Sequence, residues 1–146
     1  MKEFFVSTDK SKLDLNVIHG FLSQTYWSPG ILRERVAKAI QHSMCFGVYH
    51  RTSRGDRQIG FARVVTDFTS FAYMADVFIL PEYRGRGLSK FLLENMMAHS
   101  ELQALKNWFL GTRDAHALYE KFGFTPVKFP ERQMQRHTSN ADQIPV

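Results

Sequence analysis

Cysteine is nearly missing from this sequence: Cys45 is the single copy among 146 residues. An intrachain disulfide is therefore excluded. Cys45 lies in the apolar stretch Met44 to Val48, which places it in a buried strand and not at an exposed nucleophilic position. Long hydrophobic runs are missing too. No apolar stretch approaches the ~20 residues that a membrane-spanning helix needs. The opening Met1-Lys2-Glu3-Phe4-Phe5-Val6 has neither a signal-peptide core nor a cleavage site. The expected location is cytoplasmic, with no membrane partner. The net charge is +5, but the chain has no Lys/Arg block and no basic stripe along a helix. No nucleic-acid partner is expected from so scattered a pattern. A basic mouth for an anionic ligand explains the excess equally well. His42, His50 and His99 show no metal-ligand spacing, so no metal is expected.

What is abundant is phenylalanine, with 13 copies in a chain that is 44% hydrophobic and 23% charged. That is the composition of a globular domain with an aromatic-rich core or cleft. One domain is expected over residues 1–137, followed by a polar, flexible tail over 138–146.

Taken in order, residues 3–7 read as a first strand. Ser11 with Asp14 three residues on reads as a helix start, and Leu15, Ile18 and Leu22 mark one face of that helix. Ser28-Pro29 signals a second helix running to about His42. Between the two lie Tyr26 and Trp27, which either form a lid over a substrate pocket or wedge the helices together. Three strands follow, at 44–50, 59–66 and 71–80, joined by short polar turns that favour antiparallel pairing. Beyond them come a helix, a strand at 107–110, a helix at about 114–121 stopped by Gly123, and a strand at 124–129. Residues 130–137 form a weak edge strand in this reading.

The chain is organised around residues 76–99. An apolar strand ends at Pro81, which has no N–H to give to a ladder. The turn Arg84-Gly85-Arg86-Gly87 follows, and then a helix with Leu88, Phe91, Leu92 and Met96 on one face. Unpaired N–H groups at such a helix start, the helix dipole and two arginines make a seat for a phosphate or pyrophosphate. The known phosphate-loop patterns do not fit. No Gly-Lys-Ser/Thr is present, and Lys90 stands where a dinucleotide fingerprint needs its third Gly.

This stretch resembles the central motif of the GNAT N-acetyltransferase superfamily, Q/R-x-x-G-x-G/A. Arg84 takes its first position, Gly87 its middle one and Ser89 its last, where Gly or Ala is usual. A second segment, Thr112 to Phe124, resembles the family signature N-x-x-A-x-x-L-Y-E-K-x-G-F, with Thr112 in place of Asn. The order of elements over roughly 3–136 also matches. The resemblance implies the α/β GNAT fold: a mixed sheet of six to seven strands flanked by four helices, splayed near Ile79 between the motif strand and the next parallel strand. It implies acetyl-CoA as co-substrate. The turn residues Arg84, Gly85, Arg86, Gly87, Leu88 and Ser89 would hold the pyrophosphate. The backbone of Val77, Phe78 and Ile79, with Thr112, would hold the pantetheine arm. An N–H near Ile79 would face the thioester carbonyl, and Tyr119 would be the acid near the sulfur.

Proton removal from the acceptor is less constrained. Asp76 is either the base or a structural carboxylate paired with Arg63 or a turn N–H. A carboxylate in an apolar strand is costly unless it is partnered or functional. Asp67 and His116 are secondary candidates. Tyr26, Trp27, Arg63 and Phe68 are expected to line the acceptor pocket. The expected activity is direct transfer, in a ternary complex, to a primary amine of a small molecule or peptide. The alternatives are a non-catalytic acyl-CoA-sensing module and a basic nucleic-acid binder. An open sheet also leaves an edge that a second copy could cover, as a homodimer.

Overall fold

Alternating apolar residues build a sheet whose two faces are buried under different helices. A computed structural model of the chain describes residues 2–146. Its elements are β1 (Phe4–Ser7), α1 (Leu15–Leu22), α2 (Arg33–Gln41), β2 (Met44–Thr52), β3 (Gly55–Thr66), β4 (Phe71–Ile79), α3 (Leu88–Met97), β5 (Asn107–Leu110) and α4 (His116–Glu120). The strands lie in chain order, antiparallel except that β4 and β5 are parallel. That one parallel pair needs the crossover that α3 supplies.

Strand alternation sorts the side chains. Phe46, Val48, Ala62, Val64, Ala72 and Met74 face α3, where Leu88, Leu92, Leu93 and Met96 are buried. Cys45, Phe61 and Phe78 face the other way and pack with Ile18 and Leu22 of α1 and Val36 of α2. Three layers result, with the sheet in the middle.

Two departures from regular pairing shape the centre of the molecule. β5 pairs with β4 only over Phe71–Met74, while β4 runs on to Ile79. The strands therefore part beyond Met74. Within the unpaired part, the register to β3 steps from Arg63↔Ala75 to Phe61↔Phe78, so Asp76 and Val77 stand opposite Ala62. This is a β-bulge, and Asp76 takes a left-handed backbone (φ 57°).

The sheet has five strands, not the six or seven expected. Residues 124–129 form no strand and lead into a 3-10 turn at Pro130–Arg132. Pro126 and Pro130 cannot donate to a ladder, and they bracket the apolar residues that suggested one. Residues 130–137 likewise form no edge strand. Helix starts also shifted. Asp14, not Ser11, caps α1, accepting from the N–H groups of Asn16 and Val17. α2 begins at Arg33 because Gly30, with φ 67°, interrupts the stretch after Pro29. The segment expected as a flexible tail carries a 3-10 turn at Ala141–Gln143. It lies against the α1–α2 connection: Leu32 N–H donates to Asp142 O (3.0 Å), and the Gln143 side chain donates to Pro29 O (3.1 Å).

Candidate functional site

The turn between β4 and α3 leaves backbone donors open. Gly85 and Gly87 both have positive φ (77° and 75°). Gly87 is the N-cap of α3 and brings no side-chain acceptor, and the first turn of the helix holds no acidic residue. The leading N–H groups, from Leu88 and Ser89 onward, therefore point out of the turn with the helix dipole behind them. Leu88 itself is buried, so only its backbone serves here. Arg84 folds back. Its Nε donates to Ile79 O (3.0 Å), and its guanidinium lies 5.9 Å from the Phe21 ring. It braces the end of β4 to the turn. Arg86 sits 5.4 Å over the Tyr83 ring.

Beside the turn, Val77, Phe78 and Ile79 offer backbone without a strand partner on the β5 side. Their side chains are engaged elsewhere. Val77 and Ile79 pack toward α3, and Phe78 stacks on Phe21 with centroids 4.1 Å apart. What remains toward the split is a row of peptide groups.

Thr112 and Tyr119 stand on the far side of the split. Thr112 Oγ1 accepts the Ala115 N–H (3.0 Å) and so closes the turn into α4. Its own hydroxyl proton is left to donate. Tyr119 is buried, and it lines a cavity of about 730 Å³ with Thr112, His116 and the length of β5. None of residues 84–89 lines that cavity. Burial pushes the Tyr119 phenol up to about 12, reinforced by the negative charges that Tyr26 and Asp114 can carry.

The α1–α2 connection ties the two sides together. Trp27 Nε1 donates to Asp76 Oδ1 on β4 (3.0 Å). Tyr26 Oη accepts the N–H of Arg113, beyond β5 (3.3 Å), while the Arg113 guanidinium covers the Tyr26 ring at 3.9 Å. The two rings meet edge to face at 5.1 Å. This aromatic pair spans the split from one strand to the loop after the other.

Asp76 is fully engaged. Its Oδ2 accepts from Arg63 Nε (2.9 Å), and its side chain is 12% exposed against 19% for Arg63. Arg63 Nη1 also donates to Ser43 Oγ (3.1 Å). Of the four residues expected to line an acceptor pocket, Tyr26, Trp27 and Arg63 thus converge on Asp76 directly or through each other. Phe68 stands apart on the β3–β4 turn, 41% exposed with φ 67°. Asp67 holds that turn, accepting from the Ser70 hydroxyl and from the N–H groups of Thr69, Ser70 and Phe71. Those bonds, led by the one from Ser70, hold its carboxyl well below the usual range. His116 opens α4 and lines the larger cavity.

A second cavity, of about 180 Å³, opens beside Asp76 and Arg63. Leu22, Val36, Ile40 and Phe61 wall it, and Arg35 and Asp142 join its lining from α2 and from the C-terminal segment. Sequence reasoning missed Arg113, Ser43, Arg35 and Asp142. Arg113 lies in a motif-bearing segment and was the one within reach. Asp142 sits in a tail with no periodicity to place it. Among the described residues, no group of three or more His, Cys, Asp or Glu side chains could hold a metal ion, and no helix is long and apolar enough to cross a membrane.

Comparison with known proteins bears on the family and the fold. A model of the acetyltransferase (GNAT) domain matches residues 41–126. A crystal structure from Xanthomonas campestris pv. campestris, of a protein assigned to the GNAT family, shares 47% identity over 97% of both chains with a TM-score of 0.89. A Gibberella zeae protein bearing an acetyltransferase name is 29% identical over 73% of this chain, and the chain spans 66% of that relative's length. A Mycobacterium tuberculosis protein solved in complex with CoA shares the fold, with a TM-score of 0.66 at 18% identity over 85% of this chain and 73% of that one.

Proposed function

This chain belongs to the GNAT acetyltransferase family, and from that premise we propose that it transfers an acetyl group from acetyl-CoA directly to a primary amine in a ternary complex. The observation that carries the reading is the uncapped N-terminus of α3. It opens behind two positive-φ glycines, next to a stretch of β4 with no β5 partner. An anion seat adjoining a row of free peptide groups fits a pyrophosphate followed by an amide-bearing arm.

Acetyl-CoA supplies the activated acyl group as a thioester. The N–H groups opening α3, with Arg86 nearby, hold the pyrophosphate. The peptide groups of Val77 to Ile79 take the arm, and an N–H there supports the carbonyl oxygen as charge develops on it. The acceptor nitrogen forms the new N–C bond as the C–S bond breaks, and the nitrogen gives up a proton. The Tyr119 hydroxyl, still protonated well above neutral pH, gives its proton to the departing sulfur. Of the two roles open to Asp76, its paired geometry favours an anchor over a base. It fixes the bulge and the Trp27 ring, and proton loss from the acceptor then falls to another group or to water. Tyr26, Trp27 and Arg63 form the acceptor side, and Phe68, apart on the β3–β4 turn, is not part of it. We place the activity in the cytoplasm.

The test is a thermal-shift titration with acetyl-CoA on the wild type and on Gly87→Glu, followed by thiol release over a panel of amines. A shift in the wild type that the variant loses, with thiol release on an amine, supports the reading. Binding without thiol release on any amine points to an acyl-CoA sensor. No shift at saturating acetyl-CoA removes the cofactor assignment.

A further inference from the structure

The smaller cavity has an unusual charge pattern for a pocket between two helices and a sheet. Its inner charged pair, Arg63 and Asp76, is self-satisfied. Arg35 and Asp142 are not. Among the described residues neither forms an ion pair. Arg35 gives one Nη1 proton to Ile144 O (3.0 Å) and keeps its remaining donors, while Asp142 is held through its backbone carbonyl and leaves its carboxylate uncommitted. The remaining walls, Val36 and Phe61 among them, are apolar.

An uncharged apolar occupant would leave both charges unmatched. A simple ammonium would meet Asp142 but be repelled by Arg35, and a simple carboxylate would meet the reverse. A molecule carrying both charges close together on an apolar body matches all three features. The volume, about 180 Å³, is of the size of one small amino acid. Asp76 lines the cavity and also forms the bulge beside the free peptide groups of β4, so the cavity adjoins the strand assigned to the thioester. We propose that the acceptor is a free α-amino acid with an apolar side chain, its carboxylate on Arg35 and its ammonium at Asp142. The C-terminal segment, which carries Asp142, is thereby part of the site. This inference rests on the acetyl-transfer reading only for the fate of the amine; the pocket can be tested alone.

The experiment compares L-leucine with L-leucinamide and isoamylamine, which keep the amine and the body but lack the carboxylate. Wild type, Arg35→Ala and Asp142→Asn are each measured twice: by thermal shift with the amino acid alone, and by thiol release with acetyl-CoA. L-leucine is expected to stabilise the wild type and to show a KM about tenfold or more below that of the amide, the size of one lost charge-assisted contact. Arg35→Ala should erase that preference, and Asp142→Asn should raise KM for acid and amide together. Both variants should keep the wild-type shift with acetyl-CoA, which shows that they fold. Equal handling of the three compounds, or variants that leave KM and the leucine shift unchanged, overturns the proposal. A leucine shift lost in Arg35→Ala but no thiol release leaves the pocket standing and removes the transfer reading.

Discussion

Tyr119 meets two conditions for the proposed acid: it is protonated at neutral pH, and it stands with Thr112 on the far side of the split. Burial raises its phenol to about 12, so the acid form persists through the neutral and mildly alkaline range. Tyr119→Phe should lower kcat about a hundredfold, the lower range for a lost acid, while the thermal shift with acetyl-CoA stays as in the wild type. In the wild type, kcat should not fall between about pH 8 and pH 10 through loss of this proton, because its folded value lies above that window. A variant with wild-type kcat would assign Tyr119 to packing against Phe124. Arg63 makes the complementary case for structure. It and Asp76 are both largely buried and paired at 2.9 Å. Removing one partner strands the other charge, and such losses run to about 3 kcal/mol or more. Arg63→Met should therefore cost about that much in urea unfolding, and the double variant Arg63→Met with Asp76→Asn should recover part of it. Additive costs would mean that the pair is not coupled.

β4, its turn and α3 were legible because each carries a local signal: apolar strand residues, a proline stop, glycines where φ is positive, then apolar residues at helical spacing. The bulge was not legible. An aspartate reaches the left-handed region at modest cost, so nothing in the residue types around Asp76 announces an extra residue in the strand. Its partner Trp27 was placed in the right loop, but a contact across 49 residues has no local signature. The apolar content of residues 124–129 suggests a strand, but a ladder obeys the missing N–H groups of Pro126 and Pro130. The C-terminal segment was illegible for another reason. Two of its contacts run through the backbone carbonyls of Asp142 and Ile144, and every residue type carries a carbonyl. The turn itself gives the sharpest test of this scale. Gly87 caps α3 with φ 75°, a conformation costing other residues roughly 1–2 kcal/mol. Gly87→Ala should lose about that much stability while weakening acetyl-CoA far less than Gly87→Glu, whose side chain and charge enter the anion seat. Equal loss of binding in both variants would make backbone geometry, not the open space, the controlling factor.

The whole fold has an alkaline weakness built from buried titrating groups, two of them outside the site. Cys45, Tyr49 and Tyr119 are all buried, and burial raises the first from 9.0 to about 11 and the two tyrosines from 10.0 to about 12. In each case the folded chain favours the neutral form. Their contribution is intact below the unfolded values and is lost as pH climbs through the folded ones. Melting temperature should thus decline progressively between about pH 9 and pH 12. Tyr49 separates this effect from general alkaline damage. Its side chain lies over Gly47, which has no Cβ to obstruct it, and its hydroxyl is buried with no hydrogen-bond partner. The ring stacks on Phe5 with centroids 5.1 Å apart, so its packing does not depend on the oxygen. Tyr49→Phe removes an unsatisfied polar atom and a titrating group in one step. It should be neutral or stabilising by about 1 kcal/mol near pH 7 and should flatten the decline above about pH 10. A destabilised Tyr49→Phe at neutral pH would show that a bound water satisfies the hydroxyl, and an unchanged alkaline slope would assign the decline to Cys45 and Tyr119.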